Sequence, residues 1–389
     1  MLRRTLVTGG AGFIGSSLVD ALMVSPKNYH VTVLDNLSRG SKENISNWLV
    51  SPNFKFVLAD LLEDADLYHV NKSILQKAVD NSDIIFHLAA NPDVVVGADN
   101  TGIDFWQNVQ ATYNLLEAIR KSQLNLDQNS NTNKKKAKQL IFASSSTVYG
   151  EADKRPTPEN YSPLHPISLY GATKLAGEAI ISGYCHMFGI QCVVARLANI
   201  TGARNTHGVV YDFITKLSSH PDYLDILGNG LQNKSYLHID DCISALILLS
   251  KRMQANLENS DDHDYNEKNH EHKNSSAENT KIHYNKDNRQ RKLPSLEVFN
   301  VGSDDTINVL QIAQIVIDKL SLTNDNVRKV FKDDFEGGRG WKGDVPEFWL
   351  DCSKLKAAGW TPKHGKSRDA VVQTCSDYLN SNKVKRSLP

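Results

Sequence analysis

Tyr170 and Lys174 stand four residues apart, and Ser144, Ser145, Ser146 and Thr147 precede them at the end of an apolar run. Residues at this spacing share one face of a helix, so a phenol is set beside an ammonium. A tyrosine ordinarily titrates near ~10 and accepts a proton near neutrality only where positive charge stabilises the phenolate. Lys174 can supply that charge. A hydroxyl from the serine run, Ser145 by our assignment, can then hydrogen-bond a substrate oxygen as it changes between alcohol and ketone, with Ser146 beside it on the substrate. The same pair decorates many helix surfaces where a lysine stem packs on an apolar neighbour, so the proton-transfer reading rests on its surroundings in the chain.

Those surroundings contain a phosphate cradle. Gly9, Gly12 and Gly15 punctuate Thr8-Gly-Gly-Ala-Gly-Phe13-Ile14-Gly15, between the Leu6-Val7 run and a helical stripe of Ile14, Leu18 and Leu22. Glycines at a strand-to-helix turn let a pyrophosphate approach the backbone N–H groups and the positive end of the helix dipole. Asp35, followed by Asn36, closes the second strand 20 residues after Gly15. A carboxylate there can accept hydrogen bonds from both hydroxyls of an adenosine ribose and would repel a 2′-phosphate. NAD is therefore expected over NADP, with Arg39 the neighbour that leaves NADP open. Asp60-Leu61 ends the third strand and is assigned to the adenine.

The elements that must position these groups alternate. Short apolar runs at Leu6-Val7, Val31–Leu34, Phe54–Leu58, Ile84–Leu88, Leu140–Ala143 and Cys192–Leu197 recur between helical patterns, which implies an α/β fold with a doubly wound parallel Rossmann sheet. A cofactor domain is expected over 1–195, with strands returning from about 235–250 and 295–303. A smaller C-terminal α/β substrate-binding lobe is expected over 196–389. Val298–Gly302 has the pattern of a strand and turn, followed by an amphipathic helix through Val309, Ile312, Val316 and Leu320. Ser122–Lys138, with Lys134, Lys135 and Lys136, is expected to be a solvated loop, and 254–292 a disordered polar insertion. His263, His270, His272 and His283 in that insertion could chelate a transition ion, yet no metal site is expected.

Composition narrows the function class. The chain of 389 residues balances 44 Lys and Arg against 44 Asp and Glu, so it carries no broad positive field for nucleic acid or an anionic membrane. Its five cysteines, Cys185, Cys192, Cys242, Cys352 and Cys375, are scattered, without the close pairs of zinc sites or disulfide frameworks. No apolar run approaches the ~20 residues that span a bilayer, and a cytoplasmic location is expected.

With these motifs in order, the chain resembles the extended short-chain dehydrogenase/reductase family, whose members combine T-G-x-x-G-x-x-G with Y-x-x-x-K and act mainly on nucleotide sugars. The resemblance spans nearly the whole chain. It implies that His87-Leu88-Ala89-Ala90 lines the cofactor and that Asn108 lies near the nicotinamide. It also implies a homodimer through helices around Thr101–Ser122 and Leu169–His186.

Within that resemblance, sugar 4,6-dehydratases carry Asp-Glu where Ser146-Thr147 stand, and UDP-glucuronate decarboxylases tend to have Glu at the Thr147 position. Elimination needs an acid and a base at neighbouring carbons, and the stretch offers no carboxyl group. What remains is a 4-epimerase, which oxidises C4, turns the ketone and returns the hydride to the other face. The segment Asn205-Thr-His207-Gly-Val-Val-Tyr-Asp212 is similar to archaeal and bacterial UDP-glucose 4-epimerases. Asn199, in Arg196-x-x-Asn199, is implied to reach the sugar nucleotide. Lys234 takes the place of a diphosphate-binding arginine, with a charge but no bidentate fork. Arg339 and Lys342 remain alternatives for the late diphosphate contact. Pro92 stands where many 4-epimerases carry lysine. Phe348 is implied to border C2 of the sugar, leaving little room for N-acetyl groups, so UDP-glucose and UDP-galactose are the expected substrates. The competing readings are another NAD-dependent nucleotide-sugar enzyme (a UDP-glucuronate or UDP-N-acetylhexosamine 4-epimerase, a dehydratase, a decarboxylase or a reductase) and, from a different class, a non-catalytic NAD-sensing module.

Overall fold

The computed structural model of the chain describes residues 2–25, 28–62, 73–93, 97, 100–129, 138–271, 296–332 and 335–381. Its first layer is dictated by strands that are apolar on both faces. In β1 (Arg3–Thr8), Leu6 and Val7 are both buried but enter different apolar clusters, because successive strand residues point to opposite sides. The same split separates Val33 from Leu34 in β2 (Tyr29–Asp35). After β3 (Phe54–Leu58), it separates Ile84 from Ile85 in β4 (Ile84–His87) and Ile141 from Leu140 in β5 (Gln139–Ser145). In β6 (Gln191–Leu197) it separates Val193 from Val194. Such a sheet must be covered on both sides. One face takes helix α1 (Phe13–Met23) and the helix Ile239–Glu271, and the other takes the helices Ile74–Asp80, Ala111–Asn129 and Leu169–Phe188.

The six expected strands and Leu296–Val301 form one parallel sheet, ordered Leu296–Val301, β6, β5, β4, β1, β2, β3. Strand order reverses beside β1, and the register sets Thr8 level with both Leu34 and His87. Gly9, Asp35 and Leu88 therefore emerge together at the carboxyl ends, where such sheets open a crevice.

Of the two segments expected to return to this layer, 295–303 does so as the edge strand. The other returns differently. Tyr236–His238 pairs with Asn199–Thr201 outside the main sheet, and from Ile239 the chain is helical. Ile239, Cys242, Ile243, Leu246, Leu249 and Met253 recur at helical spacing and bury together against the sheet. That helix continues to Glu271, into the segment expected to be disordered, and residues 272–295, with His272 and His283, lie outside the described residues. The helix Ala111–Asn129 likewise enters the segment expected to be a loop, while 130–137, with the three lysines, lie outside the described residues. A polar composition prevents burial but does not prevent helix formation.

The second layer gathers the helices Val209–Ser219, Val309–Lys319 and Ser367–Asn380 around a separate apolar cluster. Asn308 and Gln311 close a capping box on the second of these. A small sheet of Ile307–Asn308, Asn233–Lys234 and Glu347–Phe348 sets Phe348 in register with Lys234, which brings two distant segments to one wall. Among the described residues no helix is long and apolar enough to cross a membrane.

Candidate active site

A cavity of about 770 Å³ opens at the carboxyl ends of β1 and β4, between the two layers. Its floor is the glycine turn. Gly9 adopts φ +71°, and a Cβ there would lie 2.6 Å from the Ala89 nitrogen, so the turn and the chain after β4 touch backbone to backbone. A Cβ on Gly15 would lie 2.1 Å from the Gly9 carbonyl oxygen, which fixes how closely α1 abuts the turn. Gly12 differs, because its Cβ would meet only the Gly9 oxygen, at 3.3 Å. Gly12 is also the N-cap of α1, with no side-chain acceptor on the first amides and no acidic residue in the first turn. Unsatisfied N–H groups at a helix start, beside a glycine facing open space, form an anion cradle. Gly12, Phe13, Ile14 and Gly15 all line the cavity.

Asp35 is buried, and its two carboxylate oxygens accept from the Ala11 N–H at 2.9 Å and the Leu37 N–H at 2.8 Å. Burial raises its pKa, and the two amides oppose that rise. Asn36 donates from Nδ2 to Asp60 Oδ2 at 2.7 Å, which links the ends of β2 and β3 along one wall. Leu61, Leu88, Ala89 and Ala90 complete that side. The residues present thus fit a dinucleotide, with a diphosphate at the α1 start and a ribose at Asp35. Arg39, which had left NADP open, lies 3.6 Å from Asp93 across the cavity lining.

At the inner end, Ser168 caps the helix Leu169–Phe188 by accepting from the Gly171 N–H, and this sets Tyr170 in the first turn and Lys174 one turn on. Both line the cavity, with Ser145 and Ser146. Ser145 Oγ accepts from Thr147 Oγ1 at 2.9 Å and from the Thr147 N–H at 3.2 Å, on the same lining as Tyr170. Lys174 Nζ donates to the Ala143 carbonyl at 2.9 Å and lies 5.9 Å from the centre of the Tyr170 ring. Burial pushes Lys174 down to about 8, against the charges of Asp104 and Glu178. Burial pushes the Tyr170 phenol up to about 12, with the neighbouring Ser145 hydroxyl acting in the other direction. The free chain therefore holds Tyr170 as a phenol. The lowering by Lys174 expected from the sequence is not seen here: burial dominates, and the Asp104 charge adds to the rise.

The frame behind this pair is buried and polar. Arg196 donates to both oxygens of Glu178, at 2.7 Å from Nη2 and 3.0 Å from Nε, and ties the Tyr170 helix to β6. His87 spans Thr8 Oγ1 at 2.8 Å and Thr112 Oγ1 at 3.0 Å, and burial holds it neutral with a pKa near 3. Asn108 does not line the cavity. It sits on a π-helical turn, Phe105–Gln110, with Oδ1 accepting from the Asn91 N–H and Nδ2 donating to Thr173, and so braces the wall from behind.

On the opposite wall, Asn199, Lys234 and Phe348 face the same cavity. Lys234 is ion-paired with the buried Asp344 and lies 4.9 Å from the Trp341 ring centre. Arg339 and Lys342 do not line the cavity. Arg339 is held by Glu151 at 2.7 Å and by the Asp344 carbonyl. Arg204, His207, Asp212, Trp341 and Asp344 do line it and had no assigned role. Arg204 is positioned by Asp20, 2.6 Å away on α1, a contact that no local spacing announces.

The model of the NAD dependent epimerase/dehydratase family matches residues 5–266 of the chain. A UDP-glucose 4-epimerase of Mycolicibacterium smegmatis is 35% identical over 63% of this chain and 72% of its own. A solved structure of a UDP-galactose 4-epimerase is 34% identical with a TM-score of 0.70, covering 97% of this chain and 98% of that one. The UDP-glucuronic acid decarboxylase 1 of Danio rerio is 29% identical over 64% of this chain and 54% of its own length.

Proposed function

The chain belongs to the NAD dependent epimerase/dehydratase family, and from that premise we propose that it is a nucleotide-sugar 4-epimerase interconverting UDP-glucose and UDP-galactose. NAD, the family's cofactor, would when bound supply the acceptor and donor of a hydride at the sugar carbon. Gly12, Phe13, Ile14 and Gly15 would hold its diphosphate, Asp35 and Asn36 its adenosine ribose, and Asp60 and Leu61 its adenine.

The chain's own residues account for the proton. Tyr170 takes the C4 hydroxyl proton as the C4–H bond is broken, and returns it once the 4-keto sugar has turned. Lys174 stabilises the phenolate, and Ser145 holds the oxygen through both states. Asn199, Lys234, Ser146 and Phe348 position the nucleotide and the sugar. Arg204, which lines the cavity with its guanidinium held by Asp20 and Ser16 on α1, is a better diphosphate candidate than Arg339 or Lys342, which lie off it.

The observation that carries the epimerase reading is the company of Tyr170. Ser145, Ser146 and Thr147 surround the reacting end with hydroxyls, and none offers the carboxyl that elimination of water needs. A decarboxylase or dehydratase is the second reading, favoured only by the likeness to the decarboxylase. Product analysis from UDP-galactose and from UDP-glucuronate separates them, because an epimerase yields UDP-glucose from the first, a dehydratase a stable 4-keto sugar, and a decarboxylase carbon dioxide and a pentose nucleotide from the second. An intact Tyr170 and Lys174 weigh against a purely NAD-sensing module.

We further assign a cytoplasmic homodimer. Phe105 and Trp106 on the first, and Leu169 on the second, of the two helical segments expected to meet a second copy are exposed apolar side chains, which a second copy would cover.

A further inference from the structure

We propose that His238, Asp240 and His364 form a divalent-metal site, with Zn²⁺ as the ion whose ligand preferences they match. The three lie outside the cavity lining, where the strand Tyr236–His238, the start of the helix Ile239–Glu271 and the segment before Ser367–Asn380 converge. Their ligand atoms all fall within 4.8 Å of one another.

Three features make this more than proximity. His238 is buried with both ring nitrogens committed. Its Nδ1 accepts from the Asp240 N–H at 3.3 Å, so Nε2 carries the proton and meets Asp377 Oδ2 at 3.0 Å. A carboxylate fixing the far nitrogen is the usual support of a metal-bound imidazole, and a bound ion would take over the Nδ1 lone pair that now accepts the Asp240 N–H at the long distance of 3.3 Å. Next, His364 Nε2 is buried without a hydrogen-bond partner among the described residues, 4.6 Å between ring centres from His238. A buried orphan nitrogen costs free energy unless something occupies its lone pair or takes its proton. Finally, His238 Nδ1 and Asp240 Oδ2 are already 3.6 Å apart, close to the roughly 3.4 Å between ligands in a tetrahedral site with bonds of ~2.0–2.1 Å.

Charge is consistent with a cation. The helix start disfavours positive charge, but Asp240, Asp241 and Asp377 surround it, against Lys363, 4.0 Å from Asp240. Asp241 accepts from the Lys363 N–H at 2.6 Å and the His364 N–H at 2.8 Å, and so holds the His364 backbone against the helix. Two imidazoles, one carboxylate and a water would complete four-coordination. The site would join the C-terminal segment to the helix Ile239–Glu271, so its effect is on stability and needs no role in the reaction. His238 and His364 are too far apart in sequence for any ligand spacing to announce them.

The test uses chelator-stripped full-length protein titrated with ZnCl₂ in a calorimeter, with melting followed in parallel. One equivalent should bind with a rise in Tm. His364→Ala and the exposed-site variant Asp240→Asn should each lose that equivalent while keeping wild-type circular dichroism, and Asp377→Asn should weaken it by roughly 10–100-fold. Replacing His263, His270, His272 and His283 together should leave it unchanged. The proposal is overturned if the wild type binds no Zn²⁺, if His364→Ala binds as the wild type does, or if binding disappears with the four distal histidines.

Discussion

Lys174 Nζ lies 5.9 Å from the centre of the Tyr170 ring and is pinned there by the Ala143 carbonyl, one helical turn from the phenol that it must stabilise. Burial moves the two groups apart, the ammonium down to about 8 and the phenol up to about 12. The reactive pair is phenolate with ammonium. Its population grows with pH until Lys174 titrates and then levels, because each further step gains phenolate and loses ammonium alike. A plot of kcat/KM against pH should therefore rise and flatten near 8. Lys174→Met should lower activity on the order of 10²-fold or more and remove the break. A profile that drops as soon as it passes the break would contradict this coupling.

Gly12 and Gly15 should fail differently. Alanine at 15 sets its Cβ 2.1 Å from the Gly9 carbonyl oxygen, so Gly15→Ala should lower Tm as well as cofactor content. Alanine at 12 meets that oxygen only at 3.3 Å and otherwise projects into the cradle. Gly12→Ala should melt near the wild type while retaining at least about tenfold less NAD on purification, since the methyl blocks the diphosphate's approach to the amides. Wild-type NAD content in Gly12→Ala would show that the diphosphate does not bind there.

His87 should make the fold acid-sensitive. Its pKa is near 3 in the folded chain and near 6.5 when unfolded, so the unfolded state binds the extra proton between those values. Stability from this residue is complete above pH 6.5 and is lost as pH falls toward 3, by roughly 5 kcal/mol in all. Urea unfolding at stepped pH should show that slope, and His87→Gln, which keeps a polar link between Thr8 and Thr112, should flatten it. Equal slopes in the two proteins would rule His87 out as the source.

Phe348 tests the substrate assignment. It faces the cavity in register with Lys234 and packs against the Val148–Tyr149 cluster. Phe348→Ala should raise turnover of UDP-N-acetylgalactosamine relative to UDP-galactose by about tenfold or more, at a cost to stability of up to about 3 kcal/mol for the removed ring. An unchanged ratio would place the C2 substituent elsewhere.

The cofactor half of this account was legible because its signals are local. Gly9 to Gly15, Asp35 and Tyr170 with Lys174 each sit at a strand end or on one helical turn, where spacing dictates geometry. Where long-range packing decides, the sequence misled. A strand is expected from about 235 to 250, yet Ile239 to Met253 is a helix whose apolar residues recur at helical spacing, and Asn108 braces the wall from behind it. Arg339 is diverted by Glu151 and Asp344, while Arg204, absent from the assigned roles, lines the cavity and is anchored to α1 by Asp20. Ion pairs between residues more than a hundred positions apart, such as Lys234 with Asp344, leave no periodic trace.

The central claim is tested most directly by incubating the purified protein with UDP-galactose, adding no cofactor, and following the anomeric protons by NMR. The account predicts conversion to a stable mixture of UDP-galactose and UDP-glucose, abolished in Tyr170→Phe. No change even with added NAD, or a 4-keto product in place of UDP-glucose, would contradict it.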